Sequence, residues 1–317
     1  MHPDSMVGFR DIAEARERLR PILGLSGTEF VSEGSIMIKC EHRMPTGSFK
    51  VRGALFSILR MTDNGGVRGV VAHSSGNFGL AVAFAASRMG IPAVIVVPHM
   101  ISARKAASLR AAGVDMVITE PDRLDDLARQ ICVSHDYAFV EGDAPDVIAG
   151  HGTVGLEIAE HCPDVNIVYV PVGTGGLLAG IGLAMAFVGL SPLLVGVEPE
   201  LAADATASFQ AGRLLSWPTA ETYRTAADGL RVPRLGIHAW SYIRQHVHSM
   251  QVVTEEEIVR AARFLANRCD VMAEPSGAVA VAAALRDGVG DHSERRVAVM
   301  SGGNVEPAWS RLLAVDT

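Results

Sequence analysis

Thr46-Gly47-Ser48-Phe49-Lys50-Val51-Arg52-Gly53-Ala54 sets a lysine between an aromatic neighbour and a turn of small residues. Two glycine-rich stretches follow at long intervals, Ser74-Ser75-Gly76-Asn77-Phe78-Gly79 and Gly173-Thr174-Gly175-Gly176-Leu177. A lysine in such surroundings can be desolvated, which lowers its pKa and makes its amine a nucleophile toward an aldehyde. A glycine-rich turn that runs into a helix offers backbone N–H groups and a positive dipole end to a phosphate. Schiff-base chemistry and phosphate binding on one chain point to a ligand carrying both an aldehyde and a phosphate, as pyridoxal phosphate does.

More motifs stand in series with these: Val147-Ile148-Ala149-Gly150-His151-Gly152-Thr153, Glu198-Pro199, Ala227-Asp228-Gly229, Glu274-Pro275-Ser276-Gly277 and Ser301-Gly302-Gly303-Asn304. In this order, from about Arg20 to Glu306, they resemble the fold-type II pyridoxal-phosphate enzymes, in particular the serine/threonine dehydratase and serine racemase branch. The resemblance implies an α/β fold of the tryptophan synthase β type, with two open parallel-sheet lobes and the cofactor between them. It divides the chain into a large lobe, 1–68 and 144–317, and a small inserted substrate-side lobe, 69–143. Because the chain ends at Thr317, it also implies that the regulatory extension of some biosynthetic threonine dehydratases is absent.

Composition agrees. A chain of 317 residues has room for two lobes, and 49% hydrophobic with 20% charged residues suits a soluble protein with a large core. A net charge of −7 without a basic block argues against a nucleic-acid surface. Cys40, Cys132, Cys162 and Cys269 form no C-x-x-C pair, so they read as reduced core thiols rather than a zinc site or a disulfide framework. The acidic N-terminal stretch is no typical signal peptide, and no apolar run reaches membrane-spanning length. The expectation is a cytoplasmic homodimer that acts on a small amino acid, with no nucleic-acid or membrane partner.

Short apolar runs alternate with helical patterns, as in a mainly parallel sheet. Strands are expected at 36–39, 69–72, 93–97, 115–118, 138–140, 167–170, 193–197, 250–253 and 297–300. Helices are expected at 76–88, at 102–112, at 178–185 and, capped by Thr254, at 254–268.

The resemblance assigns roles to particular residues. Lys50 is the Schiff-base lysine and the base for Cα–H on one face, with Phe49 packing on the cofactor side away from the substrate. Ser74, Ser75, Gly76 and Asn77 bind the substrate carboxylate, and Asn77 also meets the 3'-oxygen of the ring. Ser75 matches the acid/base on the opposite face in serine racemase. Gly173, Thr174, Gly175, Gly176 and Leu177 cradle the phosphate, and Ser301 faces the ring nitrogen with a neutral hydroxyl. Glu198, the Ala202 carbonyl and Asp204 match a divalent-metal site, suited by its oxygen ligands to Mg2+ or Ca2+. His73, His99, His135 and His151 show no metal spacing and read as polar or core histidines.

Some positions depart from the family pattern: Phe78 for a histidine, Met44-Pro45 before Thr46, Gly142-Asp143-Ala144-Pro145, and Arg231 after Ala227-Asp228-Gly229-Leu230. Arg231 either recruits a second substrate carboxylate, as in 3-hydroxyaspartate, or lies on the surface, and the surface is preferred. The activity expected is an ammonia-lyase that dehydrates L-threonine or L-serine to a 2-oxo acid and ammonia. Serine racemase and 3-hydroxyaspartate dehydratase are the alternatives, ahead of a β-replacement transferase.

Overall fold

The computed structural model describes residues 6–24, 30–33, 36–63, 65–74, 76–288 and 294–313. Among these described residues, ten strands build two sheets: β1 (Phe30–Glu33), β2 (Ile36–Cys40), β3 (Val70–His73), β4 (Ala93–Pro98), β5 (Asp115–Thr119), β6 (Ala138–Phe139), β7 (Ile167–Pro171), β8 (Leu193–Pro199), β9 (Ser249–Val253) and β10 (Arg296–Met300). The larger sheet runs β1-β2-β10-β7-β8-β9 and the smaller β5-β4-β3-β6. Every pairing is parallel except β1 with β2.

All nine expected strands are present, most of them a residue or two longer. The tenth, β1, is short and mixed in composition (Phe-Val-Ser-Glu), so it lacks the continuous apolar run that marks the others. The helix Glu255–Cys269 starts as expected: the Thr254 hydroxyl accepts from Glu257 N at 3.1 Å, and Glu257 Oε2 accepts from Thr254 N at 2.7 Å.

Alternation along the strands distributes the core. In β10, Val297 and Val299 face a cluster shared with the helices Lys50–Asp63, Pro145–His161 and Gly176–Phe187, while Ala298 and Met300 face one shared with Glu255–Cys269 and Pro275–Gly288. The small sheet divides likewise: Val70, Ala72, Ile95 and Val97 join the first cluster, and Val71, Val94 and Val96 pack with Ala128 of the helix Leu124–His135. Sheets covered on both faces explain why these strands read as unbroken apolar runs. Cys40 and Cys162 are buried thiols, as expected of core cysteines, but Cys132 and Cys269 are only half-buried.

β2 and β10 run in register to Cys40 and Met300, and β7 pairs with β10 from Ile167. Parallel strands that end together send their following loops to one edge, where open α/β sheets bind ligands. Residues 41–50, 172–176 and 301–304 therefore gather at that edge.

Candidate active site

Lys50 opens the helix Lys50–Asp63. Its half-buried side chain carries Nζ to 4.7 Å from the Phe49 ring centre and 6.0 Å from that of Phe78. Burial lowers its pKa to about 8. At pH 7 about a tenth of such an amine is neutral, about 300-fold more than at its ordinary value of 10.5. The neutral form is the one that attacks an aldehyde or takes a proton.

The helix start is fixed from two sides. Phe49 N donates to Ser301 O at 3.1 Å, Gly303 N to Gly47 O at 3.0 Å, and Ser48 bridges to Gly302. Two residues into the helix, Arg52 is wholly buried and donates to both oxygens of Glu41 and both of Glu157, at 2.7–2.8 Å, and to Thr153 Oγ1 at 3.0 Å. Lys39 completes a neutral quartet, bonded to Glu41 and 3.0 Å from Glu157 Oε2. Sequence reading gave Arg52 no role, because its partner Glu157 lies 105 residues away.

Asn77 begins the helix Asn77–Met89, one residue later than expected, because Gly76 is its extended cap. Its Nδ2 donates to Glu274 Oε1 at 2.6 Å, its Oδ1 accepts from Asn304 Nδ2 at 2.7 Å, and that same Nδ2 reaches Thr46 O at 2.9 Å. Glu274 is buried, and burial together with nearby Asp228 pushes its carboxyl up to about 7. This residue was visible in a motif but had no assigned role. Gly302 packs close beside it: a Cβ there would stand 2.1 Å from Glu274 Oε1, so that carboxyl would have to move. Ser74 accepts from Gly76 N through Oγ at 3.2 Å. Ser75 lies outside the described residues.

The expected phosphate loop joins β7 to the helix Gly176–Phe187. Gly175 adopts φ 86°, and a Cβ there would also fall 2.8 Å from Ile243 and Leu235. Thr174 O is fixed by Gly236 N at 3.0 Å. The first N–H groups of the helix lack carbonyl partners within it, as at any helix start, and its dipole favours an anion. Ser301, buried at the end of β10, directs Oγ to Ser276 O at 3.4 Å.

Buried polar atoms without hydrogen-bond partners gather here: Thr46 Oγ1, Ser48 Oγ and both ring nitrogens of His151. Orphaned donors and acceptors beside a desolvated lysine and a glycine-lined helix start fit a polar, phosphorylated aldehyde. From the side of the small sheet, Ser102 Oγ donates to Glu306 at 2.8 Å, Arg104 to Val305 O, and Lys105 pairs with Asp228.

Elsewhere, Glu198 and Asp204 are buried together. Glu198 accepts from Ala205 N at 3.0 Å and from Thr206 N and Oγ1 at 2.6 and 2.7 Å, whereas neither Asp204 oxygen has a partner. Burial and the neighbouring Asp204 push Glu198 up to about 8, and burial pushes Asp204 up to about 7. Among the described residues, no three His, Cys, Asp or Glu side chains are gathered as for a metal. A site here would rest on two carboxylates and the buried Ala202. Arg231 is half-buried, donates to Thr225 O at 2.8 and 2.6 Å, and lies 5.6 Å from the Tyr223 ring.

The chain matches the family model described as "Pyridoxal-phosphate dependent enzyme" over residues 14–302. It is 37% identical to the L-threonine ammonia-lyase of Thermotoga maritima, over 95% of this chain and 76% of that protein. It is 35% identical to the L-threo-3-hydroxyaspartate ammonia-lyase of a Pseudomonas species, over 94% and 95% of the two chains. Among solved structures, maize serine racemase superposes with a TM-score of 0.89 at 31% identity, covering 97% of each chain.

Proposed function

Because the chain belongs to the pyridoxal-phosphate dependent enzyme family, we propose that it is an ammonia-lyase that dehydrates L-threonine or L-serine to a 2-oxo acid and ammonia. The carrying observation is the Lys50 amine, lowered to about 8 between two phenylalanine rings at the edge where the glycine loop ends. When bound, pyridoxal phosphate supplies the aldehyde for that amine and an electron-withdrawing ring that acidifies the substrate Cα–H. Lys50 would hold the cofactor through its amine and, once freed, would take the substrate Cα proton. Ser74, Gly76 and Asn77, with Ser75, receive the substrate carboxylate at a helix start. Gly173, Thr174, Gly175, Gly176 and Leu177 would hold the phosphate, and Phe49 would pack on the cofactor side away from the substrate. Ser301 would meet the ring nitrogen as a neutral partner that does not hold it protonated, which weakens the electron sink and favours elimination over long-lived carbanions.

Keto-acid release and product chirality, assayed with L-threonine, L-serine, D-serine and 3-hydroxyaspartate, test this reading. Keto acid from L-threonine or L-serine at the highest kcat/KM supports it. Chiral inversion outpacing elimination would replace it with a racemase that uses Lys50 and Ser75 on opposite faces. A preference for 3-hydroxyaspartate, the substrate named for the Pseudomonas relative, would change the substrate and leave the elimination intact. Ser75→Ala separates the first two, since inversion needs an acid/base on each face and elimination from one enantiomer needs only Lys50.

The proposal includes a divalent cation, Mg2+ or Ca2+, held by Glu198, the Ala202 carbonyl and Asp204, remote from the bond-breaking. The two unpartnered Asp204 oxygens support it. It also includes a homodimer in the cytoplasm, tested by light scattering and cell fractionation. No helix among the described residues is long and apolar enough to cross a membrane. The division into 1–68 with 144–317 and 69–143 is supported by the small sheet, whose strands all fall between Val70 and Phe139.

A further inference from the structure

The helix Pro145–His161 turns His151 inward, where its imidazole is 1% exposed and neither nitrogen has a hydrogen-bond partner. Its surroundings are specific. The ring meets Phe49 edge-on, with centres 4.7 Å apart and planes at 60°. Nε2 abuts Gly53, where a Cβ would come within 2.6 Å. Nδ1 points the other way, toward Gly176, and lies 3.4 Å from where a Cβ on that residue would stand.

Gly176 is the first residue of a twelve-residue helix, and Cβ bonds in a helix tilt toward its N-terminus. Nδ1 therefore lies against the first turn of the helix, whose N–H groups lack carbonyl partners within it. A neutral imidazole carries one N–H, and burying that donor without an acceptor is unfavourable. Burial, with Lys50 and Arg52 nearby and Glu41 opposing them, holds the ring neutral.

We propose that His151 is a phosphate-binding residue, its Nδ1–H donating to the cofactor phosphate from beneath the glycine loop and adding a side-chain donor to a cradle otherwise made of backbone N–H groups and the Thr174 hydroxyl. The inference rests on the reading of residues 173–177 as the phosphate loop. It also gives the glycine at 176 a second role, since a side chain there would crowd the path between imidazole and anion. Phe49 thus connects the two ends of the cofactor site, touching Lys50 on one side and the phosphate-facing imidazole on the other.

The test compares wild type, His151→Gln, which keeps an N–H donor, and His151→Leu, which keeps bulk alone. The dissociation rate of pyridoxal phosphate from each holoenzyme is measured, followed by the affinities of the cofactor-stripped full chain for pyridoxal phosphate and for unphosphorylated pyridoxal. His151→Leu should weaken pyridoxal phosphate by roughly ten- to a hundred-fold and leave pyridoxal within about two-fold, as for loss of one charge-assisted hydrogen bond. His151→Gln should recover most of the loss. The 31P resonance of the bound cofactor should shift in the leucine variant and return in the glutamine variant.

Equal weakening of both ligands, or of neither, would overturn the proposal and leave His151 as packing for Phe49. If both variants fail to fold, the wild-type holoenzyme decides: an exchange-protected His151 imidazole N–H that is lost when pyridoxal replaces the phosphate ester supports the bond, and its absence refutes it. Equal wild-type affinity for pyridoxal and pyridoxal phosphate would instead refute the phosphate-loop reading.

Discussion

Two buried clusters of ionisable side chains, one built on β2 and one on β8 of the large sheet, follow opposite rules. Lys39, Glu41, Arg52 and Glu157 are two cations and two anions with their charges matched. Burial alone would raise the Glu41 pKa, yet Arg52 and Lys39 pull it down to about 2. Glu198 and Asp204 are two like charges with no cation, and both are pushed up, to about 8 and about 7. The matched cluster is complete within the chain and holds structure. The unmatched pair is complete only with a proton or a cation from outside. Lys50 belongs with the unmatched groups although it lies one residue from Val51 and two from Arg52. Side chains without partners mark where this fold expects company.

The largest expected effect separates the two rules on a single helix. Lys50→Ala should abolish turnover and the visible absorbance of bound cofactor while the chain stays folded by circular dichroism. Borohydride reduction of the wild type should fix the cofactor on Lys50, and a label on another lysine would refute the assignment. Arg52→Leu should do the reverse in kind: it leaves two buried carboxylates with the single ammonium of Lys39 and should cost about 3–5 kcal/mol, read by denaturant unfolding. A loss below about 1 kcal/mol would mean that the quartet is not the anchor of the lysine helix.

The acidic pair should respond to pH and cations together. Its folded pKa values lie above the ordinary 4.5 and 3.8, so the folded state binds these protons more tightly than the unfolded state. That contribution is complete below about pH 4 and is lost as pH rises toward 7 and 8. Thermal stability without divalent ions should therefore fall between pH 6 and 8. Mg2+ or Ca2+ should restore it, and more strongly at pH 8, where the ligands are deprotonated. Saturation to 100 times Kd corresponds to about 2.7 kcal/mol. Asp204→Asn should remove the response; calorimetry that detects no divalent binding to the wild type would discard the site.

The smallest effect is expected at Arg231. Its guanidinium is occupied by the Thr225 carbonyl, so Arg231→Ala should change kcat/KM for threonine and for 3-hydroxyaspartate by similar, small factors. A selective rise in KM for the acidic substrate would show that the side chain leaves Thr225 to pair with a second carboxylate.

The elements of the fold were legible in the sequence because strands covered on both faces must be apolar throughout, as Ala93–Pro98 is. β1 was missed because an antiparallel edge strand of four mixed residues carries no such constraint. Within the candidate site, motifs single out residues whose type chemistry or backbone would dictate: Lys50, Asn77 and the loop from Gly173. They did not reveal partnerships. Nothing near Arg52 announces Glu157, and nothing near Asn77 announces Glu274, 197 residues on, because the matching is made by the fold. The sequence reads His151 as a polar or core histidine; the structure buries it and leaves both its nitrogens unpaired.

The glycines that close the site have a consequence for anyone scanning this protein by mutation. A methyl on Gly302 would collide with Glu274 Oε1, and one on Gly277 would stand 2.2 Å from Gly302 O. Neither residue brings a reactive atom, yet a library selected for growth should show both positions as blank as Lys50. Abundance measured beside activity would tell them apart: lysine variants should accumulate as inert protein, and the glycine variants should be depleted from the soluble fraction. A map of intolerant positions in this chain therefore records two populations, residues that react and residues that make room.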